Sequence, residues 1–137
     1  MKKLALVALL VAVAGIVGAH YGRTATSHVQ RFGSVIELKA DQITAYKALH
    51  AASNPGVRDL LTKYNIHNYT IYLQKFDNGK YYLFSYYEYT GSDLKGDRAK
   101  AAAEPRNQKW WSVTNPMQIP FAGEHGWTNM EEVFHNQ

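Results

Sequence analysis

Three consecutive pieces, NYTIYLQKF (68–76), DNG (77–79) and KYYLFSYYEY (80–89), decide the fold. Both flanking runs are aromatic and β-branched, as strands are, and Asn78-Gly79 accepts the positive φ values that a tight hairpin turn demands. Side chains alternate along a strand. Tyr69, Ile71 and Leu73 therefore share one face of the first run and Thr70, Tyr72 and Gln74 the other. In the second run Tyr81, Leu83, Ser85, Tyr87 and Tyr89 oppose Tyr82, Phe84 and Tyr86. Rings occupy both faces. Helices can cover only one, and a bare aromatic face would be an exposed apolar patch. The other face must line a pocket or meet a second subunit, so a homodimer packed sheet to sheet is expected.

Working outward from the hairpin, Arg31 to Leu38 reads as a strand through Phe32, Val35, Ile36 and Leu38. Asp41 is expected to cap a helix running to about Ser53, with Ile43, Tyr46, Leu49 and His50 at helical spacing. Asn54-Pro55 is expected to restart it, with Val57, Leu60, Leu61 and Tyr64 as the apolar stripe. On the far side, residues 90–96 read as a loop, 97–104 as an alanine-rich helix stopped by Pro105, and 107–113 as a second helical piece holding Trp110 and Trp111. Residues 114–126, with Pro116, Pro120, Gly123 and Gly126, read as a long irregular connection, and 127–135 as a last strand clearest at Glu132-Val133-Phe134. Strand, helix, hairpin, helix, strand is the order of an α+β, ferredoxin-like split β-α-β sandwich, one antiparallel sheet with helices on one face.

The chain has 137 residues, one domain's worth. Residues 1–19 combine Lys2-Lys3, an uncharged apolar run and the small exit Val17-Gly18-Ala19, the pattern of a signal peptide, and residues 20–29 read as a linker. The domain proper is then 30–137, exported to a bacterial periplasm; an uncleaved anchor is the alternative, although the 16-residue run falls short of the ~20 residues that span a bilayer. Hydrophobic residues make up 46% and charged residues 19%, which permits a core and argues against disorder. The formal charge is +4, or +2 without Lys2 and Lys3, and no cationic cluster follows the leader, so nucleic-acid binding is not expected. With no cysteine there can be no disulfide, thiol nucleophile or iron–sulfur ligand set. No His-x-x-x-His, phosphate loop or Gly-x-Ser-x-Gly elbow occurs, so a metal site and redox, phosphoryl-transfer or serine-hydrolase chemistry are not expected. Proton transfer on a small polar molecule, or plain binding, remains. The 10 Tyr, 3 Trp and 5 Phe suit a carbohydrate pocket or an interface.

Tyr46 and His50, four apart on a helix, project from one face and can bind a hydroxylated ligand and move a proton; a core tyrosine beside a hydrogen-bonded histidine is the plainer alternative. Adjacent helical tryptophans point about 100° apart, so one of Trp110 and Trp111 can enter the core while the other presents its ring elsewhere. His67-Asn68-Tyr69 can reach a pocket at the sheet edge or simply make a turn. Glu132 and His135 offer a further carboxylate and imidazole near the C-terminus.

Read in order, Arg31-Phe32, Tyr46-x-x-x-His50, Asn54-Pro55, Asn68-Tyr69-Thr70-Ile71-Tyr72, Leu83-Phe84 with Glu88, Gln108-Lys109-Trp110-Trp111 and Glu132-Val133-Phe134-His135 resemble the L-rhamnose mutarotase family from Gln30 to His135. Asn54 stands where that family usually has Trp, and the stretch after the Trp pair is also its own. The resemblance implies a dimeric α/β barrel that interconverts the α and β anomers of a deoxy sugar without cofactor or metal. It implies His50 as proton donor and Tyr46, Tyr69, Trp110 and Trp111 as substrate-binding residues. Two other readings fit the same scaffold, a non-catalytic periplasmic sugar or small-ligand binding protein and a cofactor-free monooxygenase or haem-degrading barrel.

Overall fold

The computed structural model describes residues 29–136; the expected leader and nearly all of the expected linker lie outside them. The hairpin forms where the sequence places it. Strands β2 (Ile66–Lys75) and β3 (Tyr81–Tyr89) pair antiparallel, with Lys75 opposite Tyr81 and Ile71 opposite Ser85. Gly79 takes φ 77° in the turn, and the Phe76 N–H donates to the Lys80 carbonyl at 3.0 Å. Asn78 Oδ1 accepts from the Lys80 N–H at 3.0 Å, so both halves of the Asn-Gly signal are used. Strand β2 starts two residues before the expected Asn68, and its pairing slips between His67 and Thr70, where Asn68 adopts φ 51°. This bulge re-aims Tyr69.

Strand β1 (Gln30–Leu38) pairs with β3 along its whole length, from Gln30 opposite Tyr89 to Leu38 opposite Tyr81. Its other edge carries two short strands, β4 (Gln118–Ile119) against Leu38 and Glu37, and β5 (Thr128–Met130) against Val35, Ser34 and Gly33. The result is one antiparallel sheet of order β2-β3-β1-β4, with β5 also on β1. The class is α+β, as expected. The last strand is shorter than expected and ends at Met130; Glu132-Val133-Phe134 lies beyond it, with Val133 87% exposed. Glu132 instead meets Arg31 through two side-chain hydrogen bonds, Nε to Oε2 at 2.7 Å and Nη2 to Oε1 at 2.9 Å.

The helices differ from their expected limits for local reasons. Asp41 falls inside a 3-10 turn (Ala40–Gln42) and caps nothing, and α1 covers only Ile43–Leu49. It stops short of Ser53 because Arg58 offers its guanidinium to the carbonyls of His50, Ala51 and Asn54, satisfying acceptors that a longer helix would have bonded internally. Asn54 does not cap the next helix: its Oδ1 accepts from the Gly56 N–H at 3.1 Å, and α2 (Arg58–Lys63) begins beyond Pro55. Helix α3 (Leu94–Ala103) starts ahead of its alanines because Asp93 caps it, Oδ1 accepting from the Gly96 N–H at 2.9 Å. Pro105 ends α3 and opens α4 (Pro105–Thr114).

The sheet face shared by Ile36, Leu38 and Leu83 meets Tyr46 of α1 in the core. Two further ties hold the α3–α4 arm over the sheet. Asp97 Oδ2 accepts from Asn65 Nδ2 and from the Tyr89 hydroxyl, each at 2.8 Å, and Glu104 accepts from the Tyr64 hydroxyl at 2.6 Å.

Candidate active site

A cavity of about 310 Å³ lies between the inner face of the sheet and α1 to α4, and Tyr46, His50, Tyr69, Trp110 and Trp111 all line it. Residues separated by more than 60 positions in sequence are thus brought together as a single wall.

His50 sits at the C-terminal end of α1, where the chain turns. Its Nδ1 lies 2.9 Å from the Tyr46 carbonyl oxygen. A carbonyl only accepts, so Nδ1 carries the hydrogen and the Nε2 of the neutral ring keeps its lone pair. The imidazole is clamped from two sides. Tyr46 stacks on it with ring centroids 4.2 Å apart, and Trp110 meets it edge-on at 5.2 Å. Trp110 is set in turn by Gly56, which has φ 54° and lies so close beneath the indole that a Cβ there would stand 3.2 Å from it. The left-handed backbone and the close approach both require glycine.

Tyr69 crosses Tyr87 in a T-shaped contact at 5.7 Å. Trp111, 39% exposed, is the more open of the two indoles, while Trp110 is half-buried against His50. The divergence expected of neighbouring helical residues therefore places one indole deep and one shallow, both on the same cavity.

The electrostatics divide proton roles. Desolvation keeps His50 below the ordinary histidine value, the hydrogen bond to the Tyr46 carbonyl works against that, and the Arg58 charge adds to the lowering. Desolvation raises the Tyr46 phenol, with the neighbouring Tyr69 adding to it and the polar Gln118 side chain opposing it. The Tyr69 phenol is pushed up to about 12 by desolvation and by Tyr87, with Ser85 opposing. Although 41% of Tyr69 is accessible, its hydroxyl end is the desolvated part. At neutral pH His50 Nε2 is therefore a proton acceptor beside two phenols that hold their protons, while the Asp97 carboxylate, also on the wall, is engaged by Asn65 and Tyr89.

The other candidates fall elsewhere. Asn68 Nδ2 donates to Glu88 Oε2 at 2.7 Å, and His67 pairs with Glu88 across the strands, so of the His67-Asn68-Tyr69 trio only Tyr69 reaches the cavity. Glu132 and His135 flank a separate groove with Arg31 and Tyr86, on the outer face of the sheet. Sequence reasoning missed Arg58, Gly56 and Gln118. None has a pattern of its own, since each acts through a turn or a two-residue strand. Among the described residues, no three of His, Asp and Glu are grouped as a metal site would need.

Residues 31–136, which span nearly every described element, match the family model for L-rhamnose mutarotase. The chain belongs to the L-rhamnose mutarotase family. Curated family members include the L-rhamnose mutarotases of Oceanobacillus iheyensis, 30% identical over 78% of this chain and 98% of its own length, and of Mannheimia succiniciproducens, 31% identical over 77% and 96%. That of Lactiplantibacillus plantarum is 29% identical over 77% of this chain and 96% of its own length. The crystal structure of an L-rhamnose mutarotase from Formosa agariphila shares the fold, with a TM-score of 0.57 at 23% identity, covering 79% of this chain and 99% of that one.

Proposed function

We propose that this protein is an isomerase that interconverts the α and β anomers of L-rhamnose or a closely related deoxy sugar, with His50 as its proton-transfer residue. The observation that carries this reading is the neutral imidazole of His50, its Nδ1 tied to the Tyr46 carbonyl and its Nε2 without a partner among the described residues, inside an aromatic-walled cavity.

Opening a hemiacetal moves one proton from the anomeric oxygen to the ring oxygen while the bond between C1 and the ring oxygen breaks. Nε2 takes the anomeric proton and delivers it to the ring oxygen. Rotation about C1–C2 turns the other face of the aldehyde to the new hydroxyl, and closure runs the transfer backwards. His50 is thus acceptor and donor within one turnover and ends as it began. The uncatalysed reaction already proceeds in water, so the ~10²- to 10⁴-fold supplied by a positioned acid–base group suffices. Tyr46 and Tyr69 hold the sugar as hydrogen-bond donors, and the two indoles cover its C–H face and methyl group.

Saturation-transfer NMR between the two anomers is expected to show exchange accelerated in proportion to protein concentration. A sugar-binding protein would give affinity without acceleration, and a monooxygenase would consume oxygen with an aromatic or porphyrin substrate.

The working particle is proposed to be a homodimer with a ferredoxin-like dimeric barrel, its sheets packed outer face to outer face. Tyr72, 65% exposed, stands on that face with Phe84 and Phe76, and α1 to α4 lie on the other side. Export is proposed from the Lys2-Lys3, apolar run and Ala19 pattern: protein made in its own host is expected to begin near His20, and a soluble form starting at Met1 would refute cleavage.

A further inference from the structure

Two other buried polar side chains on the cavity wall are anchored to backbone: Asn107 Nδ2 donates to the Ala101 carbonyl at 2.9 Å, and the Thr114 hydroxyl to the Trp110 carbonyl at 3.1 Å. Gln118 has no such anchor. It is 9% exposed, and it stands opposite Leu38 in the two-residue strand β4, which turns its side chain to the inner face while Ile119 takes the outer one. Among the described residues no hydrogen bond fixes its carboxamide, and the Tyr46 phenol is its polar neighbour on the cavity wall. A carboxamide has two donor hydrogens and an acceptor oxygen, and a buried one is expected to find partners for them. Here the Tyr46 O–H and Gln118 Oε1 stand as a donor beside an acceptor on the wall that holds His50.

We propose that Gln118 is a specificity-determining residue, its Oε1 accepting a hydrogen bond from one ring hydroxyl of the sugar whose oxygen in turn accepts from Tyr46. This inference rests on the mutarotase reading of the cavity. It predicts that the enzyme distinguishes a sugar bearing that hydroxyl from one lacking it, because the deoxy analogue leaves both partners buried and unfilled.

The test compares anomer exchange of L-rhamnose with that of its analogues singly deoxygenated at C2, C3 and C4, in wild type, Gln118→Met and Gln118→Glu. In the wild type one analogue is expected to have kcat/KM about 10-fold or more below the parent. Gln118→Met should lower kcat/KM for L-rhamnose by a similar factor, mainly through KM, and leave that analogue nearly unchanged. Gln118→Glu keeps the acceptor and should keep the preference. Equal loss for all four sugars, or no loss, in a Gln118→Met protein with native near-ultraviolet circular dichroism would overturn the proposal while leaving the mutarotase reading intact. If the wild type accelerates no exchange, the same comparison is made on sugar affinity. A hydroxyl-specific loss then supports the role of Gln118 although the mutarotase reading has failed, and absence of sugar binding overturns both.

Discussion

His50 Nε2 can work only if the imidazole starts neutral, and three features of its surroundings bear on that. Burial and the Arg58 charge disfavour the imidazolium, while the Tyr46 carbonyl partly favours it, with a net lowering. The cavity that His50 lines also carries the Tyr46 and Tyr69 phenols, which are raised and stay neutral, and the Asp97 and Arg98 charges, but the formal charge that acts on the imidazole is that of Arg58. The sign follows. A lowered pKa keeps the acceptor form through pH 6.5 and below, and protonation removes it only in more acid solution. Exchange rate is therefore expected to fall on the acid side with a midpoint below 6.5. In Arg58→Gln the midpoint should rise, while Arg58→Lys, which keeps the charge, should stay near wild type. A rate that climbs as pH drops toward 5 would mean that the imidazolium is the starting form. Tyr46→Phe and Trp110→Ala should weaken sugar binding before they slow the chemistry, since a phenol contributes a hydrogen bond of about 0.5 to 1.5 kcal/mol and an indole contributes contact area.

Among the elements, the α3–α4 arm carries both tryptophans, and the Asp93 cap and the Asp97 cluster hold its first helix in place. Asp93→Ala is expected to cost about 1 kcal/mol and to lower Tm by roughly 4 °C, read by thermal circular dichroism; an unchanged Tm would show that the cap contributes nothing. This cap was legible in the sequence only as part of a polar loop, because Asp93 lies ahead of the alanines that announce the helix. The hairpin, by contrast, could be read almost to the residue, since a period-2 aromatic run and Asn-Gly are both local signals. The same locality explains four of the five cavity residues: Tyr46 and His50 follow from helical spacing, Trp110 and Trp111 from adjacency. Tyr69 reaches the cavity through a bulge at Asn68, and Gln118 through a two-residue strand between Pro116 and Pro120; neither leaves a periodic trace. Glu132-Val133-Phe134 misleads in the opposite way. It has strand composition, yet it continues past β5 with no neighbouring strand to bond, and Glu132 is held by the Arg31 side chain instead.

For the whole molecule, the contrast between the two sheet faces is what the proposed dimer rests on. The inner face is divided between core and cavity. The outer face carries Tyr72, Phe84, Phe76 and Tyr82, of which Tyr82 stacks on Phe121 at 5.9 Å, a single loop ring over a broad apolar surface. A second copy would cover it with the same rings and leave the cavities of both copies open. Light scattering at micromolar concentration is expected to give twice the mass of one chain, and Tyr72→Lys to shift the particle toward one; a wild-type mass of a single chain would refute the dimer. The proposed proton transfer depends above all on His50. Saturation-transfer NMR of α/β exchange in His50→Ala, with sugar affinity measured on the same sample, is expected to show the rate down by ~10²- to 10⁴-fold and affinity little changed. Near-full exchange in a correctly folded His50→Ala protein would contradict it.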